Sequence, residues 1–203
     1  DLFRTYGALA ARIRESFPVT FWNPRTGHLC DVAAANAAAE EDRDDSLRPN
    51  QLWALALPFR LLDGDKAASI LQVTERELLT PWGLRSLSPR SPRYCGSEAE
   101  GDPSQRHQGA VYPWLLGPFV DAAARLWGGQ VGFGDRVRGW LGRLFEGDPS
   151  ALPGHLRERY DGDAPHTPRG ALSSALNLAE PLRSYVENVH EYPAFNLRRV
   201  QPS

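Results

Sequence analysis

The residues of this chain best suited to chemistry gather in one short stretch. Glu158 to Gly170 reads ERYDGDAPHTPRG and holds Glu158, Asp161 and Asp163, then His166 and Arg169. No regular helix can carry it. Pro165 and Pro168 each remove a backbone donor and push the preceding residue away from α geometry. Gly162 and Gly170 supply turns. Carboxylates accept protons and hydroxyl hydrogens, while the imidazole and guanidinium donate. Such a polar, stiff loop, followed by an apolar helical run, predicts a site loop at the rim of a helical scaffold. Taken alone, the segment also fits a solvated surface loop with Asp-Gly turns.

The scaffold is read from periodicity. Leu2 to Phe17 is an amphipathic helix through Leu9, Ile13 and Phe17, ended by Pro18. Phe21 to Val32 is two short apolar pieces around Asn23-Pro24-Arg25-Thr26-Gly27, a small hairpin. Ala33 to Asp45 reads as an exposed, variable loop. Arg48-Pro49-Asn50-Gln51 opens a second helix whose LWALALPF run is apolar nearly all round, which predicts burial on more than one side. Asp63 caps an amphipathic helix from Lys66 to Leu79. Thr80 to Ala110 is rich in Pro, Gly, Ser and Arg and reads as an ordered functional loop. Val111 to Gly128 is a buried helix with Pro113 in its first turn, Gly134 to Phe145 is amphipathic, and Ala171 to Val189 is the last helix. The tail from Pro193 to Ser203 is peripheral.

Buried helices near 51, 112 and 172 thus alternate with amphipathic ones near 4, 66 and 136. Each buried helix follows a polar loop: SLRPNQ, SQRHQG and DAPHTPRG. An inner ring of helices wrapped by an outer ring gives this pattern, with the loops before the inner helices gathered at one end. The fold class expected is all-α, three helical hairpins of an incomplete (α/α) toroid, with little strand beyond the hairpin and no sheet of four or more strands. A helical repeat array is the other architecture that fits. The loops around Arg48, His107 and Glu158 are expected to converge on one face.

Composition narrows the function. With 203 residues, 41% hydrophobic and 24% charged, the chain is an ordinary globular unit. Its formal net charge of −2 offers no electrostatic footprint for nucleic acid or an anionic membrane. No apolar run approaches the ~20 residues of a membrane span. Cys30 and Cys95 form neither a disulfide framework nor a metal-ligand spacing, which fits reduced thiols in a cytoplasmic protein and calls for no metal or cofactor. The sequence has no methionine, even at position 1, so it reads as beginning inside a longer frame.

Five segments together resemble the C-terminal amylo-α-1,6-glucosidase domain of glycogen debranching enzymes: FWNPRTGHLCDV, SLRPNQLWALALP, ELLTPWGLRSLSP, YCGSEAEGDPSQRHQGAVYPWLLGPFVDA, and RYDGDAPHTPRG with NLAEPLR. The resemblance covers nearly the whole chain up to about Tyr185. It implies an (α/α)6 barrel of which this chain, with about six helices, is the C-terminal half, partnered by a missing N-terminal half and acting on a branched α-glucan or oligosaccharide. It further implies inverting hydrolysis of α-1,6-linked glucose. Glu158, three residues before Asp161, would be the base, and the acid would be an aspartate upstream of this chain. The chain departs from the family where Arg157-Glu158-Arg159-Tyr160 replaces Ser-Glu-Ile-Phe, so that two arginines flank the base. Ala110 and Tyr112 stand in a His-Gln-Gly-Thr-Val-Trp motif, and Leu176 where tryptophan is common.

The chemistry stands without the name. Inverting hydrolysis needs two carboxyl groups ~6.5–9.5 Å apart with a water between base and anomeric carbon. It also needs donors for sugar hydroxyls and a flat aromatic for the ring face. Arg48, Asn50, His107, Gln108, His166 and Arg169 are the candidate donors, with Asp161 beside them; Tyr112, Trp114 and Trp82 offer ring faces. Arg48 and Arg169 fit loop-tying roles as well, and Trp114 fits core packing. A non-catalytic carbohydrate-binding module or a helical interaction module would use the same scaffold.

Overall fold

The computed structural model describes residues 2–34, 42–59, 61–99 and 102–189. Among them are six α-helices: α1 Leu2–Phe21, α2 Trp53–Ala56, α3 Gly64–Glu77, α4 Leu116–Trp127, α5 Phe133–Glu146 and α6 Ala175–Asn188. Strands β1 (Trp22–Asn23) and β2 (His28–Leu29) form the expected hairpin, closed by Gly27 at φ 72°. The Asn23 carboxamide accepts from the Arg25 amide inside its turn.

The helical architecture stands, but the expectation of no further sheet is overturned. β3 (Leu79–Thr80), β4 (Gly83–Arg85), β5 (Val111–Tyr112), β6 (Arg159–Tyr160) and β7 (Pro168–Arg169) make a five-stranded antiparallel sheet in that order. Strands of two or three residues leave no period to read, and four of the five lie in segments rich in turn residues. The hydrophobic pattern of β5 also merges with the helix behind it.

Other boundaries moved for local reasons. The first helix runs past Pro18 to Phe21. Proline removes only its own donor, and Phe17 and Phe21, one turn apart, pack their rings 4.9 Å from each other. The second apolar run is only half a helix. A 3-10 turn over Pro49–Leu52 leads into α2, and Leu57, forced extended by the following Pro58, stops it at ψ 154°. Its expected all-round burial fails: Trp53, Leu57 and Phe59 are 43%, 45% and 66% exposed. The third apolar run starts as strand β5, turns through a 3-10 segment at Pro113–Leu115, and becomes helical only at Leu116. The last helix starts at Ala175, after Gly170 at φ 69°, with Ser174 capping the Asn177 amide. Asp63 caps α3 by accepting from the Lys66 amide. Residues 35–41 of the alanine-rich loop and the peripheral tail lie outside the described residues.

The main core surrounds α4, whose residues from Leu116 to Ala123 are all buried. Leu71, Leu78, Leu84, Val137, Leu141 and Tyr160 close on it. Phe119, fully buried, meets the Trp140 ring edge-on at 4.9 Å. Arg183 on α6 reaches across to the buried Asp121 of α4 at 3.0 Å and binds Glu180 and Glu187 on its own helix. Leu176, Leu178 and Leu182 of α6 and Leu172 before it, by contrast, are exposed, so apolar surface is uncovered around α6 as it is at Trp53, Leu57 and Phe59 around α2. No helix among the described residues is long and apolar enough to cross a membrane.

Because Phe119 is packed on every side, truncating it should leave a cavity that α4 and α5 cannot close. Phe119→Ala is expected to destabilise the fold by ~3–5 kcal/mol, read as a lowered urea midpoint at unchanged m-value.

Candidate active site

The five-stranded sheet is what brings the polar loops together. Arg85 on β4 faces Val111 on β5, Val111 faces Tyr160 on β6, and Arg159 faces Arg169 on β7. Glu158 stands immediately before β6 and is therefore one residue from the strand partner of Arg169. Its backbone is fixed twice. The Glu158 amide donates to the Ala171 carbonyl at 3.1 Å, and Asn177 Nδ2 donates to the carbonyls of Arg157 and Glu158 at 2.6 and 2.7 Å. Asn177 is 1% exposed, and its Oδ1 accepts from the Trp114 amide at 3.2 Å. One side chain thus joins the start of α6, the turn before α4 and the backbone of Glu158.

The Glu158 side chain remains 42% exposed. Oε1 accepts from Arg159 Nη1 and Oε2 from the Ala171 amide, both at 2.9 Å. Each oxygen keeps a further lone-pair position, so a water can still be held. Of the two flanking arginines only Arg159 is bonded to Glu158. Arg157 acts instead on Tyr160 and Asp148, and its buried Nε has no hydrogen-bond partner.

Behind Glu158 lies a web of buried charge. Asp161, 4% exposed, accepts from Arg169 Nε and Nη2 at 3.0 and 2.8 Å, from Ser97 Oγ at 3.1 Å and from the Glu98 amide at 3.1 Å. Burial alone would raise its carboxyl, but these donors outweigh burial and hold it below the ordinary range. Glu98 receives Arg159 Nε and Nη2, both at 2.8 Å, and those bonds hold its carboxyl low as well. His166 sits at φ 63° with Nδ1 2.9 Å from the Asp161 carbonyl. A carbonyl only accepts, so Nδ1 carries a proton and donates it to that bond.

The loop near residue 48 joins from the other side. Arg48 Nη1 donates to the carbonyls of His107 and Ser86 at 2.6 and 3.1 Å, Nη2 to Gln108 Oε1 at 3.0 Å, and Nε pairs with Asp31 at 3.3 Å. Asn50 Nδ2 donates to Asp31 at 2.8 Å. His107 is exposed and lies nearly parallel to Tyr112, with ring centroids 5.9 Å apart. Burial pushes the Tyr112 phenol up. The charges of Arg159 and Arg106 oppose that, and those of Glu158 and Glu98 add to it.

The candidate residues fall into two contact groups joined by adjoining strands. Asn50 and Arg48 meet on Asp31, Arg48 reaches Gln108 and the backbone of His107, and His107 faces Tyr112 on β5, the strand paired with β6. Asp161, His166 and Arg169 close the far side, and Trp114 joins through Asn177. Their exposures differ. Glu158, His107 and Asn50 face solvent; Asp161 and Arg48 spend their polar atoms on the protein itself. Trp114 packs against the core, and Trp82 is buried under Tyr160, stacked at 4.6 Å. Glu98, Asn177 and Asp31 escaped sequence reasoning. Asn177 carried a readable signal, a carboxamide in the first turn of an apolar helix. Glu98 carried none, since it sits in an irregular segment. Among the described residues, no group of three or more His, Cys, Asp and Glu is placed to hold a metal ion.

Comparison with known proteins fits this arrangement. The model of the family described as amylo-alpha-1,6-glucosidase matches residues 2–183. This chain belongs to the amylo-α-1,6-glucosidase family. Its fold is similar to that of the neutral trehalase of Saccharomyces cerevisiae, with a TM-score of 0.54 at 15% identity over 91% of this chain and 31% of the trehalase chain. The likeness supports the partial (α/α)6 barrel, and the chain spans under a third of that structure's length.

Two outcomes follow for this chain. Asn177→Ala strands two carbonyls and an amide, and is expected to cost at least ~1–3 kcal/mol, measured as a lowered melting temperature. The second concerns acid. Asp161, Glu98 and Asp148 are held low, and Asp44, where burial is outweighed by Ser46 and Arg93, is held at about 2. Their folded values lie below the unfolded ones near ~4, so their stabilisation is complete above that range and lost as pH falls through the folded values. Unfolding free energy should therefore decline below about pH 4, and Asp161→Asn should flatten part of that decline.

Proposed function

We propose that this chain supplies the base-bearing part of a glycoside hydrolase site that releases α-1,6-linked glucose from branched α-glucans with inversion. The observation that carries the reading is Glu158, a half-exposed carboxylate on a backbone pinned by the buried Asn177. Tyr112, half-buried on the strand next to β6, and the exposed His107 form a ring pair whose nitrogen and hydroxyl can meet sugar hydroxyls.

In this reading Glu158 takes a proton from a water as that water's oxygen attacks the anomeric carbon. The bond to the leaving oxygen breaks on the opposite face. A carboxylic acid from outside this chain gives the leaving oxygen its proton, so the configuration inverts. His107, Tyr112 and Asn50 are the exposed or half-exposed groups available to orient the glucose unit. Arg48, Asp161 and Arg169 act by holding the loops that carry them. The uncovered apolar sides of α2 and α6 are the surfaces on which the remaining helices of the barrel would lie.

The Arg159–Glu158 ion pair favours a second reading, a carbohydrate-binding module that no longer hydrolyses. Glucose release from a limit dextrin separates the two. The chain alone should release none at a useful rate, and the full-length protein containing it should. Glu158→Gln in that protein, which keeps size and polarity but removes the proton acceptor, is expected to lower the rate by ~10²–10⁴-fold. Wild-type rates in that variant would exclude Glu158 as the base. Glucan binding without any release by the full-length protein would favour the second reading.

A further inference from the structure

We infer that Arg159 is a positioning residue for the Glu158 carboxylate, and that Glu98 is the anchor through which it works. The inference rests on the reading of Glu158 as base. Its central residue is one that the family resemblance does not supply, since isoleucine is expected where Arg159 stands.

The guanidinium of Arg159 is nearly buried, with 6% of the side chain exposed, and all three of its nitrogens are engaged. Nε and Nη2 form a two-point pair with Glu98 Oε2 and Oε1, both at 2.8 Å; Nη1, on the remaining side of the fork, reaches Glu158 Oε1 at 2.9 Å. A guanidinium is planar and rigid, so a two-point pair on one side fixes where the third nitrogen points. Glu98 does not float. Its own amide is bonded to the buried Asp161 carboxylate, which Arg169 holds from β7. The orientation of Glu158 is thereby referred back to the sheet through Asp161, Glu98 and Arg159 in turn.

Glu158 needs such a guide. A glutamate half open to solvent samples several rotamers, whereas a base must hold its water on one side of the anomeric carbon. The fork fixes one oxygen, the Ala171 amide fixes the other, and the solvent-facing lone pairs stay free. The surrounding loop is shaped to the pair. A Cβ placed on Gly170 would collide with both the Glu158 carboxylate and the Arg159 guanidinium, so glycine there is what lets the two side chains meet. The nearly buried Glu98 also explains why a plain hydrophobic residue at 159 would not serve in this chain, since it would leave that carboxylate only the longer 3.8 Å pair with the half-exposed Arg106.

The test uses the full-length protein and initial rates of glucose release from limit dextrin. The variants are Arg159→Lys, Glu98→Gln, the double exchange Arg159→Ile with Glu98→Gln, and Glu158→Gln as reference. The double exchange removes both buried charges together, so it keeps the test readable if the single changes fail to fold. Melting temperature is recorded for each. Glu98→Gln and the double exchange are expected to lower kcat by ~10–100-fold with KM within about twofold, as misplacement of a catalytic group does. Arg159→Lys, which keeps a charge but loses the fork, should fall between. The double exchange should cost no more in kcat than Glu98→Gln alone, because the two act in series. A purely structural role would move melting temperature and leave kcat in place. Wild-type kcat in the folded double exchange overturns the inference, and so does a raised KM with kcat intact, which would make Arg159 a substrate contact. Wild-type rates in Glu158→Gln would instead overturn the reading of the base, and this inference with it.

Discussion

The carboxylate of Asp161 accepts four hydrogen bonds while 4% exposed, and the rest of the site depends on it. Two come from Arg169 on the neighbouring strand, and two from Ser97 and the amide of Glu98 in a segment more than sixty residues earlier. A buried charge is tolerated only when so fully bonded. The requirement works in both directions. The carboxylate cannot stay buried unless the 96–98 segment lies against it, and that segment has no other regular structure to shape it. Glu98 is placed as a consequence, and Arg159 and Glu158 after it.

The helices set a coarser frame. α4 is buried along eight consecutive residues and gives the chain its core. The loops that matter lie at the end where α4 and α6 begin. Asn177 binds that frame to the site. Its carboxamide serves the backbone of Glu158 on one side and the turn before α4 on the other, so helix packing and the height of the candidate base are not independent.

Periodicity made the helices legible. α3 and α5 fall within about two residues of where their apolar stripes and caps place them. It failed where proline or strand pairing decided locally, at Leu57 before Pro58 and at Val111, a β-branched residue drawn into the sheet between Arg85 and Tyr160. Of the candidate site, the clustering of Glu158, Asp161, His166 and Arg169 could be read because they are neighbours in sequence. The division between solvent-facing and loop-tying groups could not. Whether Arg48 touches a ligand or three carbonyl and carboxamide oxygens depends on what the chain folds against it. The five-stranded sheet was invisible for the same reason, since strands of two residues are defined by their partners.

Those short strands carry a consequence for how the chain assembles. Arg85 must find Val111, and Val111 must find Tyr160, across loops of tens of residues, and closing such loops costs chain entropy before any bond repays it. The helices, built from contacts three or four residues apart, face no such delay. The order of events then runs from helices and the core around Phe119 to the sheet, with the carboxylate web completed last. The same order runs backwards under stress. The short strand pairs beside Glu158 open before the core loosens, so the protein can lose its working geometry while most of its helix remains intact.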